Sequence, residues 1–205
     1  MIMSNGIVVR SMVLSNGYVV AMDDGLISWR PNNGRRTNHR LQYPATVLLG
    51  MKGPTGKCDS ILIGDLRGNI VRLSLPRLEL LDAYETSSSS IRSLCRTNFT
   101  SDKILVGNDD GEVWLVGKDV PGSGFMLFHH ETKITSIRLI NDEITIQCGW
   151  STFSYDWQGI LKSNIDKNDM FAEKQKQRTN RRSRLLSDKS KRYTNGSLLD
   201  LPIIS

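Results

Sequence analysis

The sequence has few of the residues that mark a metal site, a disulfide scaffold or an enzyme: three cysteines and three histidines in 205 residues. Cys58, Cys95 and Cys148 are odd in number, far apart and without a CxxC pair. That pattern excludes a disulfide framework and a zinc cluster, and it fits reduced thiols buried in strands. His39, His129 and His130 stand in no nucleophile or ligand arrangement, so the expectation is a protein that is not an enzyme and carries neither metal nor cofactor. No apolar run approaches the length of about 18 residues that a spanning helix needs. The N-terminal stretch MIMSNGIVVRSMVLSNG lacks the basic start and apolar core of an export signal. A soluble protein of the cytoplasm or nucleus, away from membranes, is therefore expected. The acceptor patterns at Asn98-Phe99-Thr100 and Asn195-Gly196-Ser197 are read as coincidental on the same ground.

Charge of one sign is also missing from most of the chain. Residues 1–160 hold 16 basic and 16 acidic side chains, which cancel, whereas residues 161–205 hold 11 basic and 5 acidic ones. The net charge of +6 therefore belongs to the tail. The boundary falls where apolar density collapses, so a folded domain over 1–163 and a basic, mostly disordered tail over 164–205 are predicted. The last nine residues, SLLDLPIIS, are apolar again and read as a short docking segment or an added strand.

Repetition, by contrast, is abundant. Tyr18 to Arg30, Ile61 to Leu73 and Ile104 to Val116 are near copies of strand, tight turn and strand, with turn glycines at 25, 68 and 111, a constant 43 residues apart. A second element repeats independently: Val9-Arg10-Ser11-Met12 resembles Ile91-Arg92-Ser93-Leu94, which returns 43 residues later as Ile134-Thr135-Ser136-Ile137. A period in the low forties with strand-turn-strand cores is the signature of four-stranded propeller blades. The predicted fold is all-β, with four four-stranded blades. The fourth copy, Ile144 to Phe153, is degraded: its offset drops to 40 and Ser151 replaces the turn glycine. Its outer strand is expected over Trp157 to Ile165. Thr86 to Ser90, with four serines in a row, reads as a surface connection.

These elements together resemble the WD-repeat propeller family over about residues 5–163. Asp24 and Asp110 precede the turn glycine as the family's Asp does, while Arg67 departs from it. His130 stands four residues before the inner-strand Ile134, and the inner-strand serine is present as Ser11, Ser93 and Ser136. The family's tryptophan near the end of the third strand is replaced by Arg30, Leu73 and Val116. The resemblance implies a rigid platform for proteins or peptides, and it implies that the turns between second and third strands share one face with the linkers between blades. Asp24, Asp65, Arg67, Asp110, His130 and Trp150 are the expected partner-binding residues. Trp150 stands apart, because an aromatic residue in a turn has no local backbone reason to be there. Trp29, Trp114 and Trp157 are expected in the core.

Four blades raise the question of closure. Either they close on themselves, or two chains pair into an eight-bladed ring, or another protein supplies the missing blades. The expected function is a protein-interaction scaffold that uses the propeller face and the tail. An alternative is nucleic-acid association through Arg181, Arg182, Arg184, Lys189, Lys191 and Arg192, which would neutralise phosphates without reading bases. A third alternative, a propeller enzyme, rests only on the turn aspartates.

Overall fold

The computed structural model describes residues 6–97 and 102–160, whose regular structure is almost all strand. The chain divides into two units, Met1–Tyr155 and Asp156–Ser205. In the first unit, β1 (Val8–Leu14), β2 (Gly17–Met22), β3 (Leu26–Pro31) and β4 (Thr37–Arg40) form one sheet in chain order. The second sheet runs through β5 (Ala45–Lys52), β6 (Cys58–Asp65), β7 (Asn69–Ser74) and β8 (Leu80–Glu85). The third holds β9 (Ile91–Arg96), β10 (Ile104–Asn108), β11 (Glu112–Val116) and β12 (Gly124–His129). Each is an antiparallel meander, the construction of a propeller blade.

The fourth blade departs from expectation. It contains three strands among the described residues, β13 (Ile134–Ile140), β14 (Glu143–Cys148) and β15 (Ser151–Asp156). The outer strand expected from Trp157 is absent at its start, because residues 157–160 are helical. Asp156 supplies the reason: its carboxylate accepts the backbone N–H groups of Gln158 at 3.2 Å and Gly159 at 2.8 Å, the bonds of a helix N-cap. Residues 161–165, the remainder of that expected strand, lie outside the described residues, as does the basic tail.

Blades stack face to face, and the burial of each strand records how many neighbours its blade has. Val19, Ala21, Ile27 and Trp29 of the first blade pack with Ile61, Ile63 and Leu73 of the second. Leu62, Ile70 and Tyr84, on the second blade's opposite face, pack with Ile91, Ile104 and Val106 of the third. A blade with a neighbour on each side needs apolar residues at every position, so β6 reads Ser-Ile-Leu-Ile-Gly and is buried throughout that run. Gly64 and Gly107 allow the closest approach, since a Cβ at either would press on Ile91 or Ile134 of the next blade. Inner strands follow chain order, β1 against β5, β5 against β9 and β9 against β13; among the described residues β13 and β1 make no contact of that extent. Among the described residues the inner-strand contacts therefore run in series from β1 to β13.

Candidate functional site

The turns between second and third strands all fall at one end of the first unit, and the linkers between blades are bound beneath them. Leu41 N–H donates to Gly25 O at 2.9 Å, Thr86 N–H to Gly68 O at 3.1 Å and His130 N–H to Gly111 O at 2.8 Å. From the other side, Leu66 N–H donates to Pro44 O at 3.1 Å and Asp109 N–H to Ser90 O at 3.0 Å. Gly25, Gly68 and Gly111 hold φ of +80°, +83° and +81° with a linker carbonyl directly against the position of a Cβ. Both facts require glycine there. The 43-residue spacing is thus the spacing of a strapped turn, and the straps make this end stiff.

Polar side chains lock two of these turns. Asp65 accepts the backbone N–H groups of Arg67 (2.7 Å) and Asn69 (3.0 Å) and the Asn69 amide (2.7 Å). One repeat later the lock recurs with its roles exchanged: Asn108 takes the place of Asp65 and Glu112 that of Asn69, so the amide and the carboxylate trade positions. Asn108 Oδ1 accepts Glu112 N–H at 2.9 Å, and its amide donates to Glu112 Oε2 at 2.7 Å. Trp114 Nε1 at 2.9 Å and the Ser87 hydroxyl donate to the same carboxylate oxygen. Burial raises the Glu112 pKa, but the hydrogen bonds from Ser87, Trp114 and Asn108 outweigh it and leave the group below its ordinary value.

The expected binding residues therefore separate. Asp65 is only 4% exposed and its carboxylate is taken up by the turn, so it cannot reach a partner. Asp24 caps Leu26 N–H at 3.1 Å and pairs with Arg40 at 3.0 Å. Asp110 is exposed. His130 is half-buried in an aromatic group in which its ring lies 4.7 Å from Phe153 and Phe128 lies 4.3 Å from Tyr155. Burial, with the nearby His129, pushes its pKa below the usual value, and its Nε2 is buried without a hydrogen-bond partner. It packs β12 against β15 rather than facing outward.

Besides Asp110, two expected residues stand free. Trp150, beside Gly149 at φ +56° in the β14–β15 turn, is 105% exposed. Arg67 is exposed and lies with its guanidinium 5.9 Å from the Tyr43 ring centroid. Beside it opens a groove of about 390 Å³ whose walls include Tyr43, Arg67, Asn69, Glu85 and Ser88. Leu66, in the same turn, is 49% exposed. Sequence reading missed Tyr43, Leu66 and Glu85, and also the Asp65–Asn69 and Asn108–Glu112 locks, although Asp-Leu-Arg-Gly-Asn and Asn-Asp-Asp-Gly-Glu were visible one period apart.

Of the tryptophans expected in the core, Trp29 and Trp157 are buried, and Trp114 is partly buried. Among the described residues no group of three or more His, Cys, Asp or Glu could hold a metal ion, and no helix is long and apolar enough to cross a membrane. Arg181, Arg182, Arg184, Lys189, Lys191 and Arg192 lie outside the described residues.

No family model matches the sequence, and no curated protein does. Solved structures do resemble it. The computationally designed Ika4 protein matches with a TM-score of 0.60 at 16% identity, covering 75% of this chain and 92% of Ika4. The designed Ika8 protein gives 0.59 at 16% identity, covering 73% and 46%. Sqt1 of Saccharomyces cerevisiae gives 0.61 at 15% identity, again covering 73% and 46%. The fold is one of β-propeller blades. The matched portion is under half of Ika8 and of Sqt1 but nearly all of Ika4.

Proposed function

We propose that this protein is a non-enzymatic interaction scaffold that takes a protein partner on the end bearing the strapped turns. Trp150 carries the reading. A tryptophan is a costly side chain to leave in water, since its large apolar surface gains nothing there, and a turn needs only small or polar residues. Buried aromatic anchors supply much of the binding energy at protein interfaces. The strapped turns beneath add the second requirement, a surface whose residues are held in place before the partner arrives.

The test places a photo-crosslinking amino acid at position 150 of the full chain and, in a separate protein, at position 56. Gly56 lies in the β5–β6 turn, at the opposite end of its blade. Covalent capture of the same protein partner repeatedly at 150 and not at 56 is the expected result. Capture at 56 with none at 150 would place the binding surface elsewhere.

A further inference from the structure

The groove beside Arg67 has a chemistry more specific than that of a generic platform, and its use as a binding site rests on the scaffold proposal. Other arginines beside turns at this end have their guanidinium groups engaged: Arg40 pairs with Asp24 at 3.0 Å, Arg92 pairs with Asp109 at 2.6 Å, and Arg10 donates to the Thr46 and Val9 carbonyls at 2.6 and 2.7 Å. The Arg67 guanidinium makes no hydrogen bond or ion pair among the described residues; only its backbone N–H is engaged, with Asp65. Its guanidinium carbon, 5.9 Å from the Tyr43 ring centroid, is within reach of a cation–π contact that narrows the rotamers of a long side chain. A planar guanidinium with its donors unengaged among the described residues suits a two-oxygen acceptor better than a point charge would. Across the same groove stands Glu85, exposed and likewise without an ion pair among the described residues. That carboxylate disfavours a second negative charge in the groove. Leu66, adjoining Arg67 in the turn, offers an apolar contact beside the charge.

We infer that this groove recognises a single carboxylate of a partner peptide, an Asp or Glu side chain next to an apolar residue. The carboxylate takes the Arg67 fork, and the apolar neighbour covers Leu66. Glu85 selects against a phosphorylated residue, whose charge approaches twice that of a carboxylate at neutral pH.

The probe is an array of peptides, each about 12 residues long, the reach of a segment crossing one blade end, with one Asp or Glu beside a leucine. Each is printed with its Asn or Gln copy and with a phosphoserine copy, and the array is read with the full chain. The carboxylate peptides are expected to bind more strongly than their amide copies by about tenfold, the scale of a hydrogen bond to a charged group. That preference disappears in Arg67→Gln, persists in part in Arg67→Lys, and in Glu85→Gln the phosphoserine copies gain. Because the Arg67 side chain is exposed and makes no hydrogen bond or ion pair among the described residues, these variants keep the fold, which an unchanged unfolding midpoint checks. Equal binding of acid and amide copies, a preference that survives Arg67→Gln, strongest binding of the phosphoserine copies, or no binding at all would overturn the inference. Peptides that bind without acid preference but depend on Trp150 would do so while leaving the scaffold reading intact.

Discussion

The first and fourth blades stand at the two ends of the same series, yet their far faces differ in chemistry. In the first blade, Val19 and Ala21 face the second blade, so Tyr18, Val20 and Met22 lie on the opposite side of the sheet. Their β1 neighbours Val13, Ser11 and Val8 share that side; Val13 and Val8 are 84% and 54% exposed, whereas Val20 and Met22 are buried at 7% and 8%. In the fourth blade, Ile137, Ile144 and Ile146 are buried, and the opposite side of the paired strands carries Ser136, Arg138, Thr145 and Gln147, with Ile140 beside Glu143 at its end. On the paired inner strands one far face is mainly apolar and the other mainly polar, while β3 and β4 give the first blade's face a polar outer part with Ser28, Arg30, Asn38 and Arg40. A terminal repeat needs a solvated face, and the fourth blade has one. The inner strands of the first blade are built like those of an inner blade, with apolar residues on both sides. Closing two chains head to tail into an eight-bladed ring would therefore press these apolar inner strands on polar ones.

The largest difference between regions is expected where the fourth blade is held. Leu105→Ala, at a fully buried position in the second strand of the third blade, is expected to lose about 2–5 kcal/mol in a denaturant titration. Val13→Ser, on the far face of the first blade, should stay within about 0.5 kcal/mol. Next in size is the strapped turn. Gly68→Ala puts a methyl against the Ser87 carbonyl at a left-handed φ and should lose at least about 1–3 kcal/mol, whereas Trp150→Ala in the unstrapped fourth-blade turn should leave the unfolding midpoint unchanged.

The polarity of the two far faces can be altered directly. Replacing Arg138, Thr145 and Gln147 together by leucine makes both apolar. Light scattering behind a sizing column should then show concentration-dependent association above that of the unaltered chain. If the mass is unmoved, the polar face is not what limits association at that end.

The smallest effect separates the locked third blade from the unlocked fourth. The Glu112 carboxylate has a lowered pKa in the folded state, so its contribution is fully present above the ordinary carboxylate value near 4.5 and is lost as pH falls through the lower folded value. Stability of the unaltered chain should decline over that acidic range more steeply than that of Glu112→Gln. Parallel curves from thermal melts across about pH 3 to 6, the range that brackets a carboxylate titration, would contradict the lock.

Much of this architecture was legible because a strapped turn permits only glycine, and three glycines at one spacing mark three blades. Trp150 was legible for the converse reason, since nothing in a turn calls for it. The start of the outer strand expected in the fourth blade was misread because Trp157 and Ile160 suggest a strand, while Asp156, two residues before Gln158, caps a helix. The polar end was visible as the alternation Ile144-Thr145-Ile146-Gln147, against the unbroken Ile61-Leu62-Ile63 of an inner blade, but its meaning depends on knowing which face has a neighbour. The Arg67 groove was not legible, because Tyr43 and Glu85 reach it from a linker and a strand remote in sequence.

Binding of partners at the strapped-turn end through Trp150 is tested most directly by the affinity of a partner captured at position 150, measured for the full chain and for Trp150→Ala. A loss of at least about tenfold, or about 1.4 kcal/mol, with an unchanged unfolding midpoint is the predicted result. Equal affinities would contradict it.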